Sequence, residues 1–193
     1  MTKPQLKMNW PESRLDTPPR PKISEGYSIR QCTPDDEPAF LQLMHDCGWP
    51  DWGPERMAYC KSRVLPQGWF LVHASGSDRL VASAMSLHNY SGKSPQSGTL
   101  GWVASHPDVR GQGLGCAVVA SATLRLVLAG YRDIELYTEY FRSPALRLYL
   151  NLGYVPYLYN DAVTELWQEL CVDLDWPFTP DQWPAGNNAF PSS

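Results

Sequence analysis

Three glycines separated by single residues, in Arg110-Gly-Gln-Gly-Leu-Gly115, constrain this chain more than any other feature. The run follows a strand-like segment, Thr99 to Ser105. It opens a stretch from Leu114 to Ala129 that is apolar nearly all round, with Arg125 its one charge. A strand, a glycine-rich bend and a helix in that order turn the free N–H groups of a first helical turn toward the bend, with no side chains to shield them. Amides so placed favour phosphate oxygens, and Arg110 adds a charge that can bond one. The segment is not a Walker A loop, because no Gly-Lys-Ser/Thr follows, and it is a poor dinucleotide fingerprint. Taken alone, these residues also fit an ordinary glycine-rich turn at a helix start.

The rest of the chain supplies strands and helices around that unit. Tyr27–Gln31 reads as a strand. Thr33, Pro34 and Asp36 start a helix that runs to about Asp46, with a second helix over about 55–65. Gly68–His73 and Leu80–His88 read as an antiparallel hairpin. Asp133–Thr138 is a strand. Ser143 and Pro144 begin a helix that Gly153 ends, Tyr154–Tyr159 is a strand, and 161 to about 171 is a last helix with one apolar stripe. Residues 1–26 carry Pro4, Pro11, Pro18, Pro19 and Pro21 and read as an extended segment without regular structure. Residues 177–193 form a Pro-, Gly- and Ser-rich tail, leaving 27–176 as one domain.

With 193 residues the chain suits a single core of ordinary size, and its net charge of -4 gives no reason to expect a nucleic-acid partner. The five cysteines form no CxxC pair and the four histidines no HExxH motif, so neither a metal site nor a disulfide framework is expected. No secretory signal and no run of membrane-spanning length is visible, and the expected location is cytoplasmic.

The stretch Gly101–Gly115 resembles the acyl-CoA-binding motif of the GNAT N-acetyltransferase superfamily, matching at Arg110, Gly113 and Gly115. Pro144–Tyr154 resembles the family's next motif, matching at Ala145, Leu148, Tyr149, Gly153 and Tyr154. The resemblance implies an α/β (α+β) fold, a mixed and mostly antiparallel sheet with splayed central strands flanked by helices. It implies acetyl-CoA or another acyl-CoA as cosubstrate, with Val103, Ala104 and Ser105 along its pantetheine arm. Arg110, Gly111, Gln112, Gly113, Leu114 and Gly115 then hold its pyrophosphate. Tyr149 matches the family's general acid. No carboxylate lies on Ser97–Trp102, where some members carry a base, so Glu139 and His88 are the base candidates, with Glu135 a further one through water. Arg142 stands where members often have Asn, and is a candidate for a phosphate or an acidic acceptor. Asp46, Trp49 and Trp52 are candidate acceptor residues, the acceptor being a small-molecule or peptide amine, and a homodimer is compatible with the family. A non-catalytic acyl-CoA-binding module is the alternative, and transfer to a hydroxyl or of another acyl chain stays open.

Overall fold

The computed structural model of the chain describes residues 4–77, 79–92 and 94–186. Its strands are β1 (Leu6–Trp10), β2 (Tyr27–Gln31), β3 (Val64–Ala74), β4 (Leu80–His88), β5 (Ser97–Ser105), β6 (Asp133–Thr138) and β7 (Val155–Pro156). Its helices are α1 (Glu37–Asp46), α2 (Pro54–Arg63), α3 (Leu114–Leu128), α4 (Ser143–Leu152) and α5 (Asp161–Asp173). The strands form one sheet in the order β2-β3-β4-β5-β6-β1-β7. Every pairing is antiparallel except β5 with β6, which run parallel and are joined through α3. A parallel pair needs such a crossover, because the chain must return to the starting edge.

Helices cover both faces, which explains why β4 is apolar or small at almost every position. On one face α3 crosses β3, β4 and β5, and its buried positions join the larger core with Leu100, Leu136 and Trp167. Its few polar side chains are satisfied: Thr123 Oγ1 meets the Tyr154 hydroxyl at 2.8 Å, and Arg125 Nε donates to the Pro66 carbonyl at 2.9 Å. On the other face α1 and α2 pack a second core of Phe40, Leu43, Met44, Trp52, Trp69, Met85 and Leu87.

Three sequence expectations are corrected. The proline-rich N-terminal segment is not devoid of regular structure. Leu6, Met8 and Trp10 alternate inward and are essentially buried, and β1 sits between β6 and β7, opposite Thr138, Leu136 and Ile134. Pro4 and Pro11 flank this strand without interrupting it, and three apolar residues at period two form a signal too short to outweigh the prolines around them. The strand expected over Tyr154–Tyr159 shrinks to Val155–Pro156, since proline brings no N–H to the ladder. The last helix runs two residues further, to Asp173, and Asn160 caps it by accepting from the Val163 N–H at 2.9 Å. The tail folds back on its own body, where Trp183 meets Trp167 and Phe178 edge-on. Residues 187–193 of the expected tail lie outside the described residues.

Candidate active site

The ladder between β5 and β6 stops early. It runs from Ser97↔Asp133 to Leu100↔Leu136, whereas β5 continues to Ser105 and β6 to Thr138. The strands part because β5 bends. Between Met85↔Gly101 and Ser83↔Ala104 one β4 residue, Ala84, faces two on β5, Trp102 and Val103. Such a bulge kinks its strand and adds twist. Trp102 takes a left-handed backbone, φ 51°, which costs a residue with a Cβ about 1–2 kcal/mol. Aromatic packing holds it there: its ring meets Trp52 at 4.8 Å and Trp49 at 5.3 Å, and its Nε1–H donates to the Tyr90 hydroxyl at 3.1 Å.

Beyond the bulge the peptide groups divide between two sides. The His106 N–H donates to Val81 on β4 at 2.8 Å and Ala104 pairs with Ser83, so by strand alternation Ser105 faces the gap. The Cys47 thiol at the end of α1 lies near it. Burial pushes that thiol's pKa up, while the Ser105 N–H and the charges of Arg110 and Arg142 pull it down.

The glycine-rich bend follows. Val109 is buried and anchors it, and Gly111 (φ 79°) and Gly113 (φ 76°) take left-handed conformations that only glycine adopts freely. A Cβ added at either meets nothing within 4 Å, whereas at Gly115 it would press on Leu148 of α4 at 3.1 Å. The first two are therefore glycine for their backbone conformation, with open space beside them, and the third lets α3 and α4 approach. Among the described residues, no main-chain acceptor receives the N–H of Gly111, Gly113, Leu114, Gly115 or Cys116, and the helical ladder begins with Ala117 donating to Gly113. A ring of free amides at the start of a 15-residue helix suits a diphosphate. The expected phosphate-binding residues are thus brought together, with Arg110 and Gln112 exposed beside them.

Across the gap stands α4. Tyr149 is 6 % exposed, and burial pushes its phenol pKa up, with the Arg142 charge opposing and the Glu139 charge adding. It therefore stays protonated near neutrality. Arg142 donates through Nε to Glu139 Oε2 at 2.8 Å and lies over the Trp49 ring, 4.2 Å from its centroid. It thus links the β6–α4 connection to the α1–α2 connection. Arg142 therefore stands near Tyr149, Glu139 and Trp49, and its charge and that of Arg110 both act on Cys47, beside Ser105.

Other expected residues lie elsewhere. His88 is excluded as a base at this site. It pairs with Gly98 at the closed end of the sheet, and its Nδ1 bonds the Tyr131 hydroxyl at 2.8 Å. Glu135 is fully buried opposite Thr99 and ion-paired to Lys7 at 2.7 Å. Asp46 is occupied by Gln42 and His45 and faces His106 at 3.5 Å, beside the loop that follows β5. Trp52 is a core residue, edge-on to Phe40 at 4.8 Å as well as to Trp102. The bulge at Trp102 and the thiol of Cys47 were not anticipated, and no residue type in the sequence signals them.

A mixed sheet opened between a parallel pair, with a glycine-rich bend at its mouth and helices on both faces, is a GNAT-like fold. Residues 31–154 match the Acetyltransferase (GNAT) family, more than half of the chain, and the protein belongs to that family. It is similar to the mycothiol acetyltransferase of Actinosynnema mirum, 31 % identical over 146 residues, covering 71 % of this chain and 47 % of that one. It is also similar to the mycothiol acetyltransferase of Pseudarthrobacter chlorophenolicus, 28 % identical over 158 residues, covering 78 % and 48 %. The chain thus spans about half the length of the curated relatives it matches. Among solved structures, a GCN5-related N-acetyltransferase from Sphaerobacter thermophilus superposes with a TM-score of 0.61 at 23 % identity, covering 79 % of this chain and 48 % of that chain. One from Kribbella flavida gives 0.53 at 21 %, covering 81 % and 55 %. These likenesses establish the fold.

Proposed function

We propose that this chain transfers an acetyl or other short acyl group from acyl-CoA to an amine, within a complex that holds both substrates. The observation that carries the reading is the gap between β5 and β6 ending on the free amides of Gly111, Gly113, Leu114 and Gly115. Those amides hold the diphosphate, and Arg110 neutralises part of its charge. The peptide groups of Val103 and Ser105 pair with the amide-bearing arm as a strand partner would. Acyl-CoA supplies the activated thioester. The neutral amine forms the new C–N bond as the C–S bond breaks, and the departing thiolate takes a proton from Tyr149. Glu139, which also accepts from Arg142, receives the amine's proton directly or through water. The similarity to two mycothiol acetyltransferases is compatible with acetyl transfer.

Purified protein is tested for acyl-CoA binding by calorimetry and for thiol release with a panel of amines. Saturable binding with amine-dependent release supports the reading, and no binding overturns it. A second reading, an acyl-CoA-binding module without turnover, draws support from the absence of any carboxylate on β5. It predicts binding with no release for any amine.

A further inference from the structure

We infer that the amine acceptor carries a carboxylate, read by Arg56 on an aromatic wall beside the acyl site. This rests on the acyltransferase reading above. The wall is formed by Trp49 and Trp102, which meet edge to face at 5.3 Å. Trp102 is the bulged residue next to Val103 at the gap, and Trp49 lies under Arg142 beside Tyr149. A molecule presenting an amine to the acyl group from this side passes over these two rings.

The wall is rich in donors and poor in acceptors. The Arg142 guanidinium over Trp49 is neutralised by Glu139. The Arg56 guanidinium lies 5.3 Å from the Trp102 centroid, and no carboxylate among the described residues comes within ion-pair distance of it. Its hydrogen bond goes to a neutral group, the Asp51 carbonyl, at the long distance of 3.5 Å. Behind Trp102, the Nε1–H of Trp52 is buried with no acceptor. A guanidinium stacked on an indole keeps its in-plane N–H groups free, and these match the two oxygens of a carboxylate. The acid expected to attract a cationic amine, Asp46, is already engaged by Gln42 and His45. The guanidinium on this wall without a carboxylate partner among the described residues is thus Arg56, and the acceptor class it fits is an amine that bears a carboxylate and an apolar body able to lie on indole rings, as α-amino acids and short peptides do.

The test uses paired acceptors: phenylalanine, leucine and glycylphenylalanine, each against its own C-terminal carboxamide, with acyl-CoA saturating. The expected result is a kcat/KM for at least one acid about tenfold above its amide, the scale of one charge-assisted contact. Arg56→Gln then raises KM for that acid about tenfold, leaves KM for the amide and for acyl-CoA within about twofold, and Arg56→Lys restores part of the loss. Amides used as well as acids in every pair, or an Arg56→Gln effect equal for acid and amide, overturns the inference while leaving acyl transfer intact. If acyl-CoA binds and no amine turns over, quenching of tryptophan fluorescence by each pair decides. Saturable, acid-selective quenching lost in Arg56→Gln supports it, and no such selectivity overturns it. Failure of acyl-CoA itself to bind removes the parent reading, and the inference with it.

Discussion

Tyr149 combines two properties that a proton donor to a thiolate needs. It is held by burial in its protonated form, and the charges of the Arg142–Glu139 pair act on it. Removing the hydroxyl alone separates chemistry from binding, because the ring still packs edge-on to Tyr154. Tyr149→Phe is expected to lower kcat for thiol release about 100-fold, the low end of general-acid contributions, and to leave acyl-CoA affinity within about threefold. An unchanged kcat would take Tyr149 out of that role. Tyr149 was singled out in the sequence through the resemblance of Pro144–Tyr154 to a family motif, and the run from Arg110 to Gly115 through its glycines at a helix start. Trp102 was not. Nothing about a tryptophan announces a left-handed backbone, and its conformation follows from the distant partners Trp49, Trp52 and Tyr90. The charge character of the acceptor side was hidden for a similar reason. Asp46 and Arg56 look equally exposed in the sequence, and only the fold commits the first to Gln42 and His45 and sets the second on Trp102.

At the scale of elements, β1 is the largest departure from the sequence reading. A helix such as α3 declares itself over 15 residues, whereas β1 has five, of which three face inward. Its identity depends on β6 and β7 being present to receive it. Met8 is fully buried opposite Leu136 and Pro156, so Met8→Ala leaves a cavity between β6 and β7 rather than trimming a tail. The expected loss of stability is about 2–5 kcal/mol, measured as a fall in the urea midpoint, whereas a free N-terminal arm would show none. The connection from β2 to α1 was read correctly, since Thr33 and Asp36 do bond reciprocally. The sequence reading lacked Arg30, which grips both oxygens of Asp36 at 2.6 and 2.7 Å. That ion pair, then the Thr33 bonds, hold the Asp36 carboxyl well below the usual range against the opposing cost of burial. A pKa depressed by folding means the unfolded chain binds the proton more readily. The stabilisation is thus complete above the unfolded value of about 3.9 and fades as pH falls toward the folded one. Asp36→Asn is expected to flatten the decline of stability below about pH 4 and to lower stability near neutrality. An acid limb as steep as the parent's would show that Asp36 does not drive it.

For the whole molecule, the gap is a consequence of topology. A parallel pair joined through α3 sits between antiparallel neighbours, and each strand leaves the pair to follow its outer partner: β5 stays with β4 through the bulge, and β6 stays with β1. The free amides at the bend and the separated strands therefore belong to one folded state, and a ligand that fills both should stabilise that state alone. Binding to the native form raises stability by RT ln(1 + [L]/Kd), about 2.7 kcal/mol at a hundredfold excess over Kd. For a domain of this length that corresponds to a rise in Tm of roughly 5–10 °C. Acyl-CoA is expected to give that rise, measured by differential scanning fluorimetry. Gly113→Ala is the control. The added methyl forces a left-handed alanine and occupies the open space beside the free amides, so the variant should melt a few degrees lower, at about 1–2 kcal/mol, and should shift little with ligand. A full ligand-induced shift retained in Gly113→Ala would mean that the diphosphate rests elsewhere, and that the open bend is a feature of folding rather than of binding.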